Sequence, residues 1–239
     1  MTLAGKTAVV VGGGTGMGRA IARALAAAGA QVVIGGRRDE VLRDAAAGTA
    51  IQWHIVDVAE RSQVDSFFAW AEKTLGHIDI MINAAGINIK DRSMQAMRPE
   101  QWDRLIGINA TGAYNCLHAV LPGMKARRSG TIINVSSIAG KRAIALGGIA
   151  YSASKFAMTA MSTCVANEVA EDGIRITNLY PGEVNTPLLE ERPVPVSAEH
   201  RQRILQPEDV SGLVLAIVSL PANVHVPEVI VKPLCQQWF

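Results

Sequence analysis

Tyr151 and Lys155 lie four positions apart in the run Tyr151-Ser152-Ala153-Ser154-Lys155. On a helix that spacing brings both side chains to one face. A free phenol has a pKa of about 10, too high for proton transfer at neutral pH. An ammonium beside it favours the phenolate and moves it towards the range where acid/base catalysis is efficient. The pattern alone is common, so a helix pair with no chemistry stays open. Ser136 and Ser137 close an earlier β-branched run and add hydroxyl groups to the same region.

A second set of residues could hold an anion. Gly12, Gly16 and Gly18 sit in Val11-Gly12-Gly13-Gly14-Thr15-Gly16-Met17-Gly18, between a short apolar run and a helix-period segment. Glycines let the backbone turn tightly and approach a pyrophosphate, whose charge meets free N–H groups at a helix N-terminus. A strand before and a helix after are the context this reading needs. A tight turn without a ligand is the alternative. An acid about 20 residues on would grip the ribose 2′-hydroxyl of NAD. Gly36 stands at that place, followed by Arg37 and Arg38. A guanidinium can pair with a 2′-phosphate, and no carboxylate is there to repel it. Asp39 and Glu40 come too late for the acid's task. NADP(H) is therefore expected over NAD(H), with a solvated helix start as the plainer account of the two arginines.

These residues need a scaffold. Short apolar runs at Ala8–Val11, Gln31–Ile34, Ile51–Ile55, Ile78–Asn83, Thr131–Val135, Arg175–Leu179 and Val229–Val231 alternate with helical patterns. Most are continuous, not alternating, as in strands buried on both faces. Met17 to Ala28 predicts a helix stopped by Gly29. Val64, Phe67, Phe68, Ala71 and Leu75 form one apolar stripe. The pattern predicts an α/β, Rossmann-type doubly wound parallel sheet of about seven strands with helices on both faces. Residues 1–239 read as one dinucleotide-binding and catalytic domain. The stretch 185–206, with prolines at 187, 193 and 195, is an irregular excursion just past a strand end and a candidate substrate lid.

Composition narrows the classes. Of 239 residues, 49% are apolar and 18% charged, and the formal net charge is +2. Nothing there asks for nucleic acid or an acidic membrane. Cys116, Cys164 and Cys235 are too scattered for a disulfide framework or zinc site. His54, His77, His118, His200 and His225 have no metal spacing. Only Met1 to Gly5 precede the first apolar run, so no secretory leader is expected. No run of about 18 apolar residues would span a bilayer. The expectation is a cytoplasmic enzyme with no membrane partner.

With these residues assembled, the chain resembles the short-chain dehydrogenase/reductase family in its single-domain form, from about Lys6 to Pro233. The glycine turn matches, as does Asp57, which in that family contacts the adenine. Asn83-Ala84-Ala85-Gly86 matches the segment after the fourth strand. Asn109, Ser137, Tyr151 and Lys155 match the catalytic tetrad, and Pro181-Gly182 with Thr186 the stretch beside the nicotinamide. The resemblance implies cofactor contacts at Gly14, Thr15, Met17, Val58 and Val184 as well. It makes Tyr151 the general acid/base. Lys155 would hold the nicotinamide ribose and depress the Tyr pKa. Ser137 would hold the substrate oxygen, and Asn109 a relay water. Hydride chemistry belongs to the cofactor.

Val11 and Ala84 depart from the usual Thr and Asn, in one region. The ending Pro227-Glu228-Val229-Ile230-Val231-Lys232-Pro233 looks more like the branch that oxidises small 3-hydroxy acids and serine. The function implied is NADP(H)-dependent interconversion of a small secondary alcohol or 3-hydroxy acid and its carbonyl. A 3-oxoacyl thioester reductase and a non-catalytic dinucleotide sensor are the alternatives. Tyr151–Val169 carries almost no charge, and similar proteins assemble through this helix and the one before it, here Ala113 to Lys125. A homo-oligomer, dimer or tetramer, is expected. Trp238 and Phe239 could dock on a neighbour or on the same core. Lys141 and Arg142 could attract an acidic substrate or simply be solvated, and Glu183, beside Pro181-Gly182, is equally open between a pocket role and solvent.

Overall fold

The computed structural model describes residues 2–237. Seven strands form one parallel sheet: β1 (Thr7–Val11), β2 (Gln31–Gly36), β3 (Gln52–Ile55), β4 (Ile80–Asn83), β5 (Gly130–Val135), β6 (Ile174–Pro181) and β7 (Glu228–Val231). Their order is β3-β2-β1-β4-β5-β6-β7. The chain builds outward from β1 to β3, then returns to lay β4 on the other side of β1. Ligands in open parallel sheets bind beyond the C-terminal strand ends at such a reversal. Here those ends are Val11, Asn83, Val135 and Pro181.

Alternation along the strands divides the core into two layers. Ala8 and Val10 of β1 face a core with Ile21 and Leu25 of α1 (Gly16–Ala27), Leu42 of α2 (Asp39–Ala46) and Val210, Val214 and Ile217 of α8 (Pro207–Val218). Val9 and Val11 face the other core. There they meet Phe67 and Phe68 of α3 (Arg61–Leu75), Leu117 and Val120 of α5 (Gly112–Arg127) and Val169 of α6 (Ile149–Val169). The predicted α3 stripe is buried at Val64, Phe67, Phe68 and Ala71. β1, β4 and β5 are buried throughout, whereas the edge strands β3 and β7 are largely exposed. Gly29, with φ +97°, ends the turn after α1.

Between α4 (Pro99–Ile106) and α5 the helix does not break. It passes through a π-helical turn, Gly107–Thr111, that carries Asn109. Such turns insert a residue at a cost and cluster at functional positions. The stretch 185–206 is more ordered than its prolines imply. It holds a 3₁₀ segment, Pro187–Glu191, and a short helix α7 (Ala198–Arg203). A parallel bridge between Val184 and Leu205 pins its base. No described helix is long and apolar enough to cross a membrane. Trp238 and Phe239 lie outside the described residues.

Candidate active site

The glycine run turns directly from β1 into α1. Gly12 has φ +79°, and a Cβ there would stand 2.6 Å from the Ala85 nitrogen. A Cβ on Gly18 would stand 2.1 Å from the Gly12 carbonyl oxygen, so the turn and α1 are in contact through hydrogen alone. Thr15 caps α1 without a side-chain hydrogen bond, and no acid stands in the first turn. The first N–H groups of α1 therefore face a cleft of about 510 Å3 with no carboxylate in their own turn to compete for them. A glycine-lined, uncapped helix end fits a pyrophosphate.

Gly12, Gly14, Thr15, Gly16, Met17 and Gly18 line this cleft. So do Arg37, Asp57, Val58, Ala84, Ala85, Gly86 and Thr186. Asn83 does not. It turns into the sheet and donates to Asn134 Oδ1 (3.3 Å), whose amide donates to Ser162 (2.9 Å). Pro181, Gly182 and Val184 line a second, smaller pocket instead. Val11 and Ala84, the two departures from the family pattern, are neighbours: the Ala84 N–H donates to the Val11 carbonyl (2.9 Å). Asp39 accepts from Arg43 (2.6 Å) and from the Trp53 indole (3.0 Å), which turns its carboxylate away from the cleft. Arg37 is exposed and forms no ion pair among the described residues.

Tyr151 and Lys155 open α6 on one face, with the Lys155 Nζ 5.8 Å from the centre of the Tyr151 ring. Lys155 is buried and donates to the Val135 carbonyl (2.9 Å) at the end of β5. Burial pulls its ammonium down to about 8. Burial pushes the Tyr151 phenol up, against a hydrogen bond with Ser137 and the charge of Arg92, both of which pull it back. This reverses the direction expected from the Tyr/Lys spacing. In the protein alone, loss of hydration outweighs the attractive charges.

Ser137 caps a short 3₁₀ turn, Ile138–Gly140, where its Oγ accepts from the Ala139 N–H (3.1 Å). Ser136 is buried beneath and meets the Lys155 carbonyl and Thr159 Oγ1, each at 3.4 Å. Asn109 is fully buried. Its Oδ1 accepts from the Ile87 N–H (2.8 Å), and its amide donates to the Ile87 carbonyl and to Ser154 Oγ, both at 3.0 Å. A Cβ on Gly86 would lie 3.4 Å from Lys155 Nζ and 3.5 Å from Asn109 Oδ1. Both groups therefore face the cleft wall where that glycine leaves room.

Ser137 and Tyr151 line the second pocket, of about 110 Å3, which shares Met17, Asn88, Thr186 and Leu188 with the larger cleft. Two of its residues carried no signal in the sequence. Arg92 donates to the carbonyls of Ile89 (2.6 Å), Leu146 and Glu191 (2.7 Å), tying three loops together. Arg192, from the excursion, pairs with Glu183 (3.4 Å), which also binds His200 (2.6 Å). Lys141 pairs with Glu228 and sits over the Tyr180 ring, away from this pocket. Among the described residues no group of His, Cys, Asp or Glu gathers to hold a metal ion.

Residues 6–195 match the profile described as short chain dehydrogenase. The chain is 32% identical to the uncharacterized oxidoreductase MW2403 of Staphylococcus aureus (strain MW2), over 97% of this chain and 99% of that protein. It is 34% identical, over 97% of its own length, to glycine betaine reductase ATRR of Emericella nidulans, of whose length it spans only 19%. A closed form of serine dehydrogenase complexed with NADP+ superimposes with a TM-score of 0.89. Identity there is 29%, over 97% of this chain and 96% of that one. Profile, relatives and fold agree: the chain belongs to the short chain dehydrogenase family and is a nicotinamide-dinucleotide-dependent oxidoreductase acting on CH–OH and carbonyl groups.

Proposed function

We propose that the protein interconverts a small secondary alcohol or 3-hydroxy acid and its carbonyl, with NADP(H) preferred over NAD(H). The observation that carries this reading is the shared pocket of Ser137 and Tyr151, with Lys155 in the wall towards a glycine-lined cleft. When bound, the cofactor supplies or takes the hydride. The chain's own residues handle the proton. Tyr151 exchanges it with the substrate oxygen, and Ser137 hydrogen-bonds that oxygen as its charge changes. Lys155 Nζ, held by Val135, presents its remaining N–H groups to the cleft for ribose hydroxyls. Asn109 Oδ1, beside Nζ at Gly86, is placed to hold a relay water.

The cofactor preference is supported by Arg37, free of any carboxylate partner among the described residues, and by Gly36 where an acid would stand. The NADP+ in the similar serine dehydrogenase agrees with it. That enzyme's substrate is itself a small 3-hydroxy acid, and a pocket of about 110 Å3 favours such a molecule over a 3-oxoacyl thioester. Phe156 of α6 and Tyr114 of α5 are 42% and 43% exposed. Apolar surface of this kind on two adjoining helices supports a homo-oligomer, dimer or tetramer. The excursion at 185–206 acts as the lid.

The test is a panel of small alcohols, ketones and their acids, followed by nicotinamide absorbance with each cofactor. Tyr151→Phe should keep nucleotide affinity and lose turnover by about 100-fold or more. Full activity in that variant would remove Tyr151 from its role. Nucleotide binding without turnover of any carbonyl would favour the sensor instead.

A further inference from the structure

Two guanidinium groups and a single carboxylate line the smaller pocket: Arg92, Arg192 and Glu183. Glu183 already serves Arg192 at 3.4 Å and His200 at 2.6 Å. Arg92 has no carboxylate within salt-bridge distance among the described residues, and Glu191 acts on it only from further away. Its hydrogen bonds go to the carbonyls of Ile89, Leu146 and Glu191. Those use the Nε–H and one N–H on each terminal nitrogen. A guanidinium has five N–H groups, so one remains on each terminal nitrogen.

Partial burial and the charge of Arg192 both pull the Arg92 pKa below its usual value, which places two like charges close together. Arg192 shares Glu183 with His200, so the charge left without a carboxylate is that of Arg92, and an entering anion would compensate it. Planar carboxylates fit guanidinium groups in a two-point geometry that ammonium groups do not offer. Of the nearby carboxylates, Glu190 pairs with Arg201 (2.6 Å), and Glu183 is shared between Arg192 and His200.

We infer that the pocket takes a substrate bearing its own carboxylate, seated by Arg92 and Arg192 while Ser137 and Tyr151 hold the reacting oxygen. This rests on the oxidoreductase reading of that site and narrows its substrate to short hydroxy acids and oxo acids. The carboxylate takes no part in the bond changes. On oxidation the bound nicotinamide would take the carbinol hydrogen as hydride, and the O–H proton would pass to Tyr151 as its phenolate, giving the oxo acid. Arg92 thereby has two tasks, joining three loops and meeting the anion.

The full chain would be assayed with NADPH on a four-carbon 3-oxo acid and on its methyl ester. The wild type should favour the acid in kcat/KM by about 10- to 100-fold. In Arg192→Gln and in Arg92→Gln that ratio should fall towards one, mostly through KM for the acid. Arg92→Lys should recover part of it. Equal or better use of the ester by the wild type would overturn the proposal. So would an acid-to-ester ratio that both Gln variants leave intact while their rates fall, since Arg92 would then be only a loop tie. Malonate, a non-reacting anion, reads the site without turnover: with NADP+ present it should raise Tm in the wild type and not in Arg192→Gln. If the wild type reduced no carbonyl yet showed that shift, the oxidoreductase reading would fail and the anion site would stand. A shift in neither protein would overturn the site itself.

Discussion

The Nζ of Lys155 donates to the carbonyl oxygen of Val135 across 2.9 Å, at the point where β5 ends and Ser136 begins. The bond fixes an ammonium inside the protein, where burial lowers its pKa to about 8. Below pH 8 both folded and unfolded chains carry the proton, and the folded state bears the full cost. Between pH 8 and the unfolded value of 10.5 the unfolded chain binds more protons, so this cost shrinks as pH rises. Lys155→Met should therefore stabilise the nucleotide-free protein at pH 7, by at most about 3 kcal/mol, while abolishing turnover. Urea midpoints from pH 7 to 10 check this. A gap between variant and wild type that stays constant or widens over that range would show that the charge is not the cause.

The contact between Gly12 and Gly18 predicts opposite outcomes for two glycine substitutions. Gly18→Ala places a Cβ 2.1 Å from a backbone oxygen and should cost about 1–3 kcal/mol or more, with weakened nucleotide binding. Gly212→Ala in α8 meets nothing within 4 Å and should stabilise by about 0.5–1 kcal/mol. Denaturation curves for both, with and without NADP+, decide the matter.

Arg37→Ala should lower kcat/KM for NADPH by about 10- to 100-fold, the loss expected for charge-assisted hydrogen bonds to a phosphate. The value for NADH should change little. Equal losses with both cofactors would mean that Arg37 does not meet a 2′-phosphate.

Asn109 joins the π-helical turn to both backbone groups of Ile87. Asn109→Ala leaves the part-buried N–H and C=O of Ile87 without this partner, a loss of about 1–3 kcal/mol in all. Hydrogen exchange at the Ile87 amide should rise ahead of global unfolding. Unchanged protection there would contradict the assigned bond.

Much of this architecture was legible in the sequence because its signals are local. The seven apolar runs and the stripe from Val64 to Phe68 depend on neighbours a few residues away, so strands and helices fell within a few residues of their observed ends. The glycine turn was legible for the same reason. What the sequence hid depends on distant partners. Trp53 diverts Asp39 from 14 residues away. Arg92 and Arg192 share one pocket only because the loops after β4 and β6 converge on it. The direction of the Tyr151 shift was misread because spacing reports the nearby ammonium but not how much water folding removes. The order in 185–206 draws on a bridge between Val184 and Leu205 and on the bond from Asn185 to Gln206, which no short window contains.

Thr186 and Leu188 border both the large cleft and the small pocket, on a segment clasped at its base by that bridge. One piece of chain is thus a wall of both cavities. Were nucleotide and acid both to bind, free energy that one gained by settling this wall would be free energy the other need not spend on it. Linkage would make that effect mutual and equal in size.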